Sequence, residues 1–356
     1  MKAKFLILGL LLILCLGSFL FQKTIKENDL QIGQMLIIGF RGTEINEIKK
    51  AIKEVGVGGV VLFDYDVPSK TYGRNILNKE QVKKLISDLK KCSPNLFIGV
   101  DAEGGKVNRL QSFFEMPSHQ DLAETDNIEE KVSQLTSLLK ELGFNMNFAP
   151  VLDLNINKEN PIIGKLGRSF SENPFKVAAL AERFIESQKG IISVVKHFPG
   201  HGSAVSDSHL GLADVTNYYR EEELIPYKYL QEKGLLRAVM TAHIVNRNID
   251  SKFPSTMSSL FLEDILRKQI GFQGIIISDD IQMKALTNFY TLEDIVVHSI
   301  NAGCDMLILS NNVSEYDEHL PFKVRDIILN AVKQGKISEQ RIEQALERIK
   351  EIKGLL

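Results

Sequence analysis

Three of the seven histidines in this 356-residue chain fall within fourteen positions, in the stretch KHFPGHGSAVSDSH at 196–209. The same stretch carries Lys196 and Asp207. Residues of these types can ligate a metal, move protons or grip a polar ligand. An H-x3-H metal pair needs a helix to bring both rings to one face. Pro199 and Gly200 lie between His197 and His201 and would break one. Asp207-x-His209 suits proton transfer. An imidazole titrates at about 6.5, and a carboxylate on its second ring nitrogen sets the tautomer and raises the basicity. Residues i and i+2 do not face each other on a helix, so this pair needs a loop. The Gly, Ser and Ala content of GHGSAVSDSH fits one. Metal ligation and a plain polar loop both stay open at this point.

Other polar residues stand just after apolar runs. Asp101 and Glu103 follow LFIGV, Asp153 follows NFAPVL, His243 ends AVMTAH, and Asp279 and Asp280 end GIIISDD. Charges gathered at one end of successive strands are what a barrel active site requires. No GxSxG elbow and no GxxxxGK[ST] cradle occurs, which argues against a serine nucleophile and a nucleotide phosphate site. Retaining glycoside hydrolysis needs one group to attack the anomeric carbon and another to protonate the leaving oxygen. Asp279 suits the attack, staying ionised if Lys196 or Arg168 is near. Asp207 and His209 suit the proton transfer. Asp153 reads as structural, Glu103 as a brace, Asp280 as a cap for IQMKAL and His201 as a loop-shaping residue. His243 reads equally as a substrate contact or as an orienting group. His119, His298 and His319 carry no motif.

The elements that must hold these residues are legible as alternation. Eight short apolar runs recur at 34–40, 58–63, 95–100, 144–151, 191–197, 236–243, 274–278 and 305–310. They are rich in Val, Ile, Leu and Met without polar alternation, as strands buried on both faces are. Between them lie stretches of helical period, such as NKEQVKKLISDLKK, NIEEKVSQLTSLLKELG, NPFKVAALAERFIESQKG, EELIPYKYLQEKG, SSLFLEDILRKQIG and TLEDIVVHSINAG. Several start after Ser, Thr or Asn and end in Gly. SEQRIEQALERIKEIKG forms a further amphipathic helix. The reading is a single-domain α/β chain, a (β/α)8 barrel over 34–356. An open doubly wound sheet is the runner-up, weakened by the lack of a GxGxxG turn.

Composition narrows the partners. A net charge of −2 with 25% charged residues offers no footprint for nucleic acid. There is no tryptophan, so sugar stacking would fall to Phe, Tyr or backbone. Cys15, Cys92 and Cys304 form no CxxC framework, and Cys304 reads as a core residue. Residues 1–22 carry Lys2 and Lys4 and then an uncharged, mostly apolar run from Phe5 to Phe21. This is expected to be an export signal or a membrane anchor, with 23–33 as a linker. Cys15 raises lipidation as a variant, although Leu14 is large for that motif. The expected location is the cell envelope, with membrane contact only through this segment.

Six ordered blocks resemble one family. GVDAEGGKVNRL (99–110), NFAPVLDL (147–154), GRSFSENP (167–174), KHFPGHGSAVSDSHLGL (196–212), AVMTAHI (238–244) and GFQGIIISDDIQMKAL (271–286) are similar to the motifs of glycoside hydrolase family 3. The similarity is greatest to its bacterial β-N-acetylglucosaminidase branch. The resemblance implies a retaining exo-β-N-acetylglucosaminidase on a (β/α)8 barrel, without metal or cofactor. It implies Asp279 as nucleophile and His209 as acid/base paired with Asp207. It implies Asp101, Arg168, Lys196 and His197 as groups that hold the sugar hydroxyls. The expected substrate is a GlcNAc-containing oligosaccharide or muropeptide, and the expected state a monomer. Lys106 stands where the family often has Arg, and GKLGRSF also varies before Arg168. The alternatives are a β-glucosidase or β-xylosidase of the family, whose broader members place the acid/base in a second domain not read here, and a non-catalytic sugar-binding envelope protein.

Overall fold

The computed structural model describes residues 31–205 and 211–356. Each apolar run contributes one strand: β1 Leu36–Gly39, β2 Gly59–Val61, β3 Phe97–Val100, β4 Met146–Asn147, β5 Ile192–Phe198, β6 Ala238–Thr241, β7 Ile275–Asp280 and β8 Met306–Leu309. Every neighbouring pair is parallel, and β8 pairs back onto β1, so the sheet closes into a barrel. The open-sheet alternative falls with that closure. The strands are buried almost throughout; all seven residues of β5 are buried. That is why they lack polar alternation: helices cover one face and side chains fill the other.

The helices follow in turn: α1 Lys49–Glu54, α2 Lys79–Cys92, α3 Ile128–Leu142, α4 Pro174–Ser187, α5 Ile225–Glu232, α6 Leu260–Gln269, α7 Leu292–Ala302, α8 Leu320–Lys333 and α9 Glu339–Lys353. Their starts carry the expected caps. Asn78 accepts from the Gln81 amide, Asn173 from Phe175 and Lys176, and Ser338 from Arg341. Thr291 and Asp294 cap α7 reciprocally. α6 is wound wider than the rest, in i→i+5 turns, and still buries Phe261, Leu262 and Leu266. α8 lies outside the quoted helical stretches. Its buried Leu320, Val324, Ile328 and Ala331 have helical spacing all the same.

The foot of the barrel is stapled by charge. Asp305, just before β8, receives Arg267 of α6 at 2.6 Å, and Arg341 and Arg348 of α9 at 2.8 and 3.0 Å. The Ile276 amide adds a bond of 2.9 Å. Cys304 beside it is buried, a core residue as expected.

At the opposite end the connections lengthen. After β2 the chain forms a hairpin, Tyr65–Asp66 against Thr71–Tyr72, and after β3 another, Ala102–Gly104 against Val107–Asn108. Ala213–Asp214 pairs with Ile244–Val245, tying the loop after β5 to the loop after β6. The expected leader, 1–22, and most of the linker lie outside the described residues. Ile32 and Gly33 are buried. No helix among the described residues is long and apolar enough to cross a membrane.

Candidate active site

Asp101 follows the end of β3, Lys196 and His197 end β5, and Asp279 ends β7. Arg168 comes from the loop between β4 and α4. All five line one cavity of about 270 Å3 at the carboxyl ends of the strands. Val61, Met240 and Ile308 give it an apolar floor, and Phe148 and Tyr65 are in its wall. Asp207 and His209 lie outside the described residues. The peptide bonds Lys196–His197 and Phe198–Pro199 are cis.

One wall is a buried ion network. The Lys196 ammonium donates to Asp101 at 2.8 Å and lies 2.6 Å from Glu103. Arg168 meets Glu103 with a two-bond fork, both at 2.8 Å, and donates to the Ile162 carbonyl at 3.0 Å. Burial opposes these charges, but partners outweigh it. Arg168 and Lys196 hold the Glu103 carboxyl well below the usual carboxylate range. Asp101 and Glu103 raise Lys196, and Glu103 raises Arg168. Glu103 is thus the brace it was expected to be, and most of the Arg168 fork is directed at protein rather than into the cavity. Lys106, the departure from the family pattern, is exposed and away from this wall.

His197 is oriented from both sides. Its Nδ1 sits 2.6 Å from Asp153 Oδ2, and its Nε2 lies 3.3 Å from Arg168 Nη2. A carboxylate accepts and a guanidinium only donates, so the pair selects the tautomer with the proton on Nδ1. Asp153 is fully buried and also accepts from the backbone of His197 and His201, at 3.2 and 2.7 Å. It is a structural anchor, as expected. His201 does more than shape the loop, for it is among the residues that line the cavity. Burial, with His197 adding to it, pushes that imidazole down to about 4.

Around Asp279 the neighbours fix the strand end. Asp279 is half-buried, and its Oδ1 accepts from the Asp280 amide at 2.7 Å. Asp280 accepts from the amides of Gln282 and Ser310, both at 3.2 Å, and from the Ser310 hydroxyl. It holds the turn before the short helix Lys284–Thr287 but does not cap that helix as expected, since the helix starts after Met283 with no side-chain cap; it also ties β7 to β8. Burial pushes its carboxyl up to about 6, and Asp279 adds to the rise. His243 is buried and absent from the cavity wall. Its Nε2 donates to the Asp280 carbonyl at 2.9 Å, so of its two readings the orienting one holds.

Sequence reasoning passed over two residues here. Arg109 lines the cavity, its amide bonded to the Asp101 carbonyl at 2.9 Å and its guanidinium 5.9 Å from the Phe63 ring. It closes the quoted GVDAEGGKVNRL block, but only the hairpin turns it back to Asp101. His119 carries no motif, yet it is packed against Phe170 and accepts from the Val151 amide at 3.1 Å. Burial pushes it down to about 4, and it supports the loop that bears Asp153. Among the described residues no group of three or more His, Cys, Asp or Glu is placed to hold a metal ion.

A wall of paired charges beside a half-buried carboxylate suits the recognition of hydroxyl groups, since ionised partners make the stronger hydrogen bonds. Known proteins share the framework. Residues 28–352 match the description "Glycosyl hydrolase family 3 N terminal domain". The chain is 35% identical over 295 residues to a β-hexosaminidase of Shewanella frigidimarina, covering 78% of this chain and 82% of that one. It is 36% identical over 302 residues to a β-hexosaminidase of Neisseria meningitidis, covering 79% and 78%. A solved family 3 β-N-acetylglucosaminidase from a Paenibacillus species superposes with a TM-score of 0.83 at 33% identity. It covers 92% of this chain, which spans only 62% of that one. The β-N-acetylglucosaminidase of Thermotoga maritima gives a TM-score of 0.75 at 28% identity, covering 91% and 67%. The match runs from before β1 through nearly all of α9 and takes in every strand end that lines the cavity, so the chain belongs to glycosyl hydrolase family 3 and is a glycoside hydrolase.

Proposed function

We propose that this protein is a retaining exo-β-N-acetylglucosaminidase that releases terminal β-linked GlcNAc from peptidoglycan fragments in the cell envelope. The observation that carries the reading is convergence: Asp101, Arg168, Lys196, His197 and Asp279 come from distant parts of the chain to one cavity. The names of the relatives support GlcNAc as the sugar. At about 270 Å3 the cavity is at the small end of ligand sites, which suits one terminal sugar ring. The apolar run Phe5–Phe21 supports an envelope location, and with it peptidoglycan fragments as the source.

Asp279 attacks the anomeric carbon as the glycosidic bond breaks. His209, with Asp207 on its second ring nitrogen, gives its proton to the leaving oxygen. The sugar is then held as an ester of Asp279. A water molecule loses a proton to His209 and attacks the same carbon, which frees Asp279 and returns His209 to its protonated form. Two displacements retain the configuration. Asp101, Lys196 and His197 hold hydroxyls, with Arg168 behind them fixing Glu103 and His197.

The test compares aryl β-GlcNAc with aryl β-glucoside hydrolysis. A clear preference for the glucoside sinks the reading in favour of a β-glucosidase, and binding without turnover sinks it in favour of a sugar-binding protein. A slow or 2-fluoro substrate should trap a glycosyl ester on Asp279. Replacing His209 with Ala should spare activated aryl leaving groups more than poor ones; equal losses would count against the acid role.

A further inference from the structure

The segment that leads from β5 toward Asp207 is squeezed from two directions. On one side stands the β4 loop. Asp153 accepts from the His201 amide at 2.7 Å, Asn160 donates to the His201 carbonyl at 2.8 Å, and Asn157 donates to the Ala204 carbonyl at 2.9 Å. On the other side stands Glu223, in the turn before α5, with no solvent exposure. The Gly202 amide donates to its carboxyl at 3.0 Å. The fit is close enough to exclude side chains. A Cβ on Gly200 would fall 2.6 Å from the Glu223 Cβ, and one on Gly202 would fall 1.7 Å from the Leu154 carbonyl oxygen.

We propose that Glu223 is a positioning residue: its buried carboxyl clamps the Gly200–Gly202 turn against the β4 loop, and so sets the start of the segment that carries Asp207 and His209. A carboxylate buried without a cation is costly. Among the described residues the ionisable groups facing it are Asp153, Tyr219 and Tyr227, and none of these is a cation. Burial pushes the carboxyl up to about 8, and Asp153 adds to the rise. At neutral pH Glu223 is a neutral acid whose carbonyl oxygen can accept from Gly202. Above its titration an anion stands behind the turn, facing the Asp153 carboxylate, and the clamp weakens.

The inference rests on His209 being the acid/base, and two measurements keep the two readings apart. The first is kinetic. E223A should lower kcat on a poor leaving group by about 100-fold, the scale of a misplaced catalytic group, with KM little changed. E223Q keeps the accepting oxygen and cannot ionise. It should restore most of kcat and remove the part of the alkaline fall centred near pH ~8, leaving the limb set by loss of the His209 proton. An E223Q as impaired as E223A, or an alkaline limb unchanged in E223Q, overturns the proposal. The second is backbone exchange in peptides spanning 199–205, corrected for the intrinsic rate, between about pH 6 and pH 10. Protection should be lost above pH ~8 in the wild type and kept in E223Q; the same loss in both overturns the clamp. A wild type without β-GlcNAc turnover would sink the functional reading, and the exchange comparison would still decide Glu223.

Discussion

The two ends of the barrel each hold a buried cluster of carboxylates and cations, put to different use. At the foot, one carboxylate, Asp305, is met by three arginines and an amide, and its side chain has no exposure. The arginines spend further N–H groups on carbonyls: Arg267 on Phe272 and Gly274, Arg341 on Ile300 and Cys304. All of these bonds run to protein, so the cluster joins α6, α9 and the start of β8. At the mouth, two carboxylates alternate with two cations, and Asp101 keeps 18% of its side chain exposed. That cluster borders the cavity. Balanced charge at a partly open wall can meet hydroxyls without rebuilding the network, whereas the closed foot can only staple. The same ion chemistry therefore yields stability at one end and binding at the other, according to what the third dimension leaves beside it.

The largest effect that would separate the ends is at Asp279. D279A should cost about 10⁴-fold or more in kcat while leaving the melting temperature near that of the wild type. K196M at the mouth should cost about 10²–10³-fold in kcat/KM on an aryl β-GlcNAc, the scale of a lost charged donor. D305A at the foot should behave inversely. It strands two buried cations, Arg267 and Arg341, and the half-buried Arg348, and should destabilise by about 3–5 kcal/mol in denaturant unfolding, with kcat per folded molecule unchanged. A D305A enzyme that folds normally but turns over slowly would erase the distinction between the ends.

A smaller effect concerns acid. Glu103 is held below its ordinary value of 4.5 in the fold. Its contribution to stability is complete above that pH and is lost as pH falls toward the folded value. The gap in melting temperature between wild type and E103Q should therefore be widest at neutral pH and narrow below pH ~4.5; a gap independent of pH would mean that Glu103 acts by packing alone. Least of all, breaking the exposed Lys268–Asp264 pair on α6 with K268A should leave stability and activity unchanged within error.

Much of the framework was readable before any coordinates. GIIIS and DMLILS announce β7 and β8 because strands covered on both faces need uninterrupted apolar residues. Asp101, Lys196, His197 and Asp279 stand out because polar groups end those runs. Asp153 is the support its position suggests, whereas Asp280 braces β8 through Ser310 rather than capping the helix that follows. Arg109 has no such marker, because it reaches the cavity only once a hairpin turns the chain back. Glu223 sits in the polar run YREEEL, where solvent exposure is the default and nothing local marks it for burial.

What the sequence determined by itself is the alternation of elements and the end at which the polar residues gather, because both follow from local period and from the cost of burying charge. What tertiary structure alone decided is pairing. It sets Glu103 between Arg168 and Lys196, locks His197 between Asp153 and Arg168, and turns Glu223 inward beneath Gly202. Arg168 and Glu103 lie 65 residues apart, His197 and Asp153 44, Arg168 and His197 29, and Gly202 and Glu223 21; no local pattern spans such gaps, and only closure of the barrel brings these partners within hydrogen-bond reach.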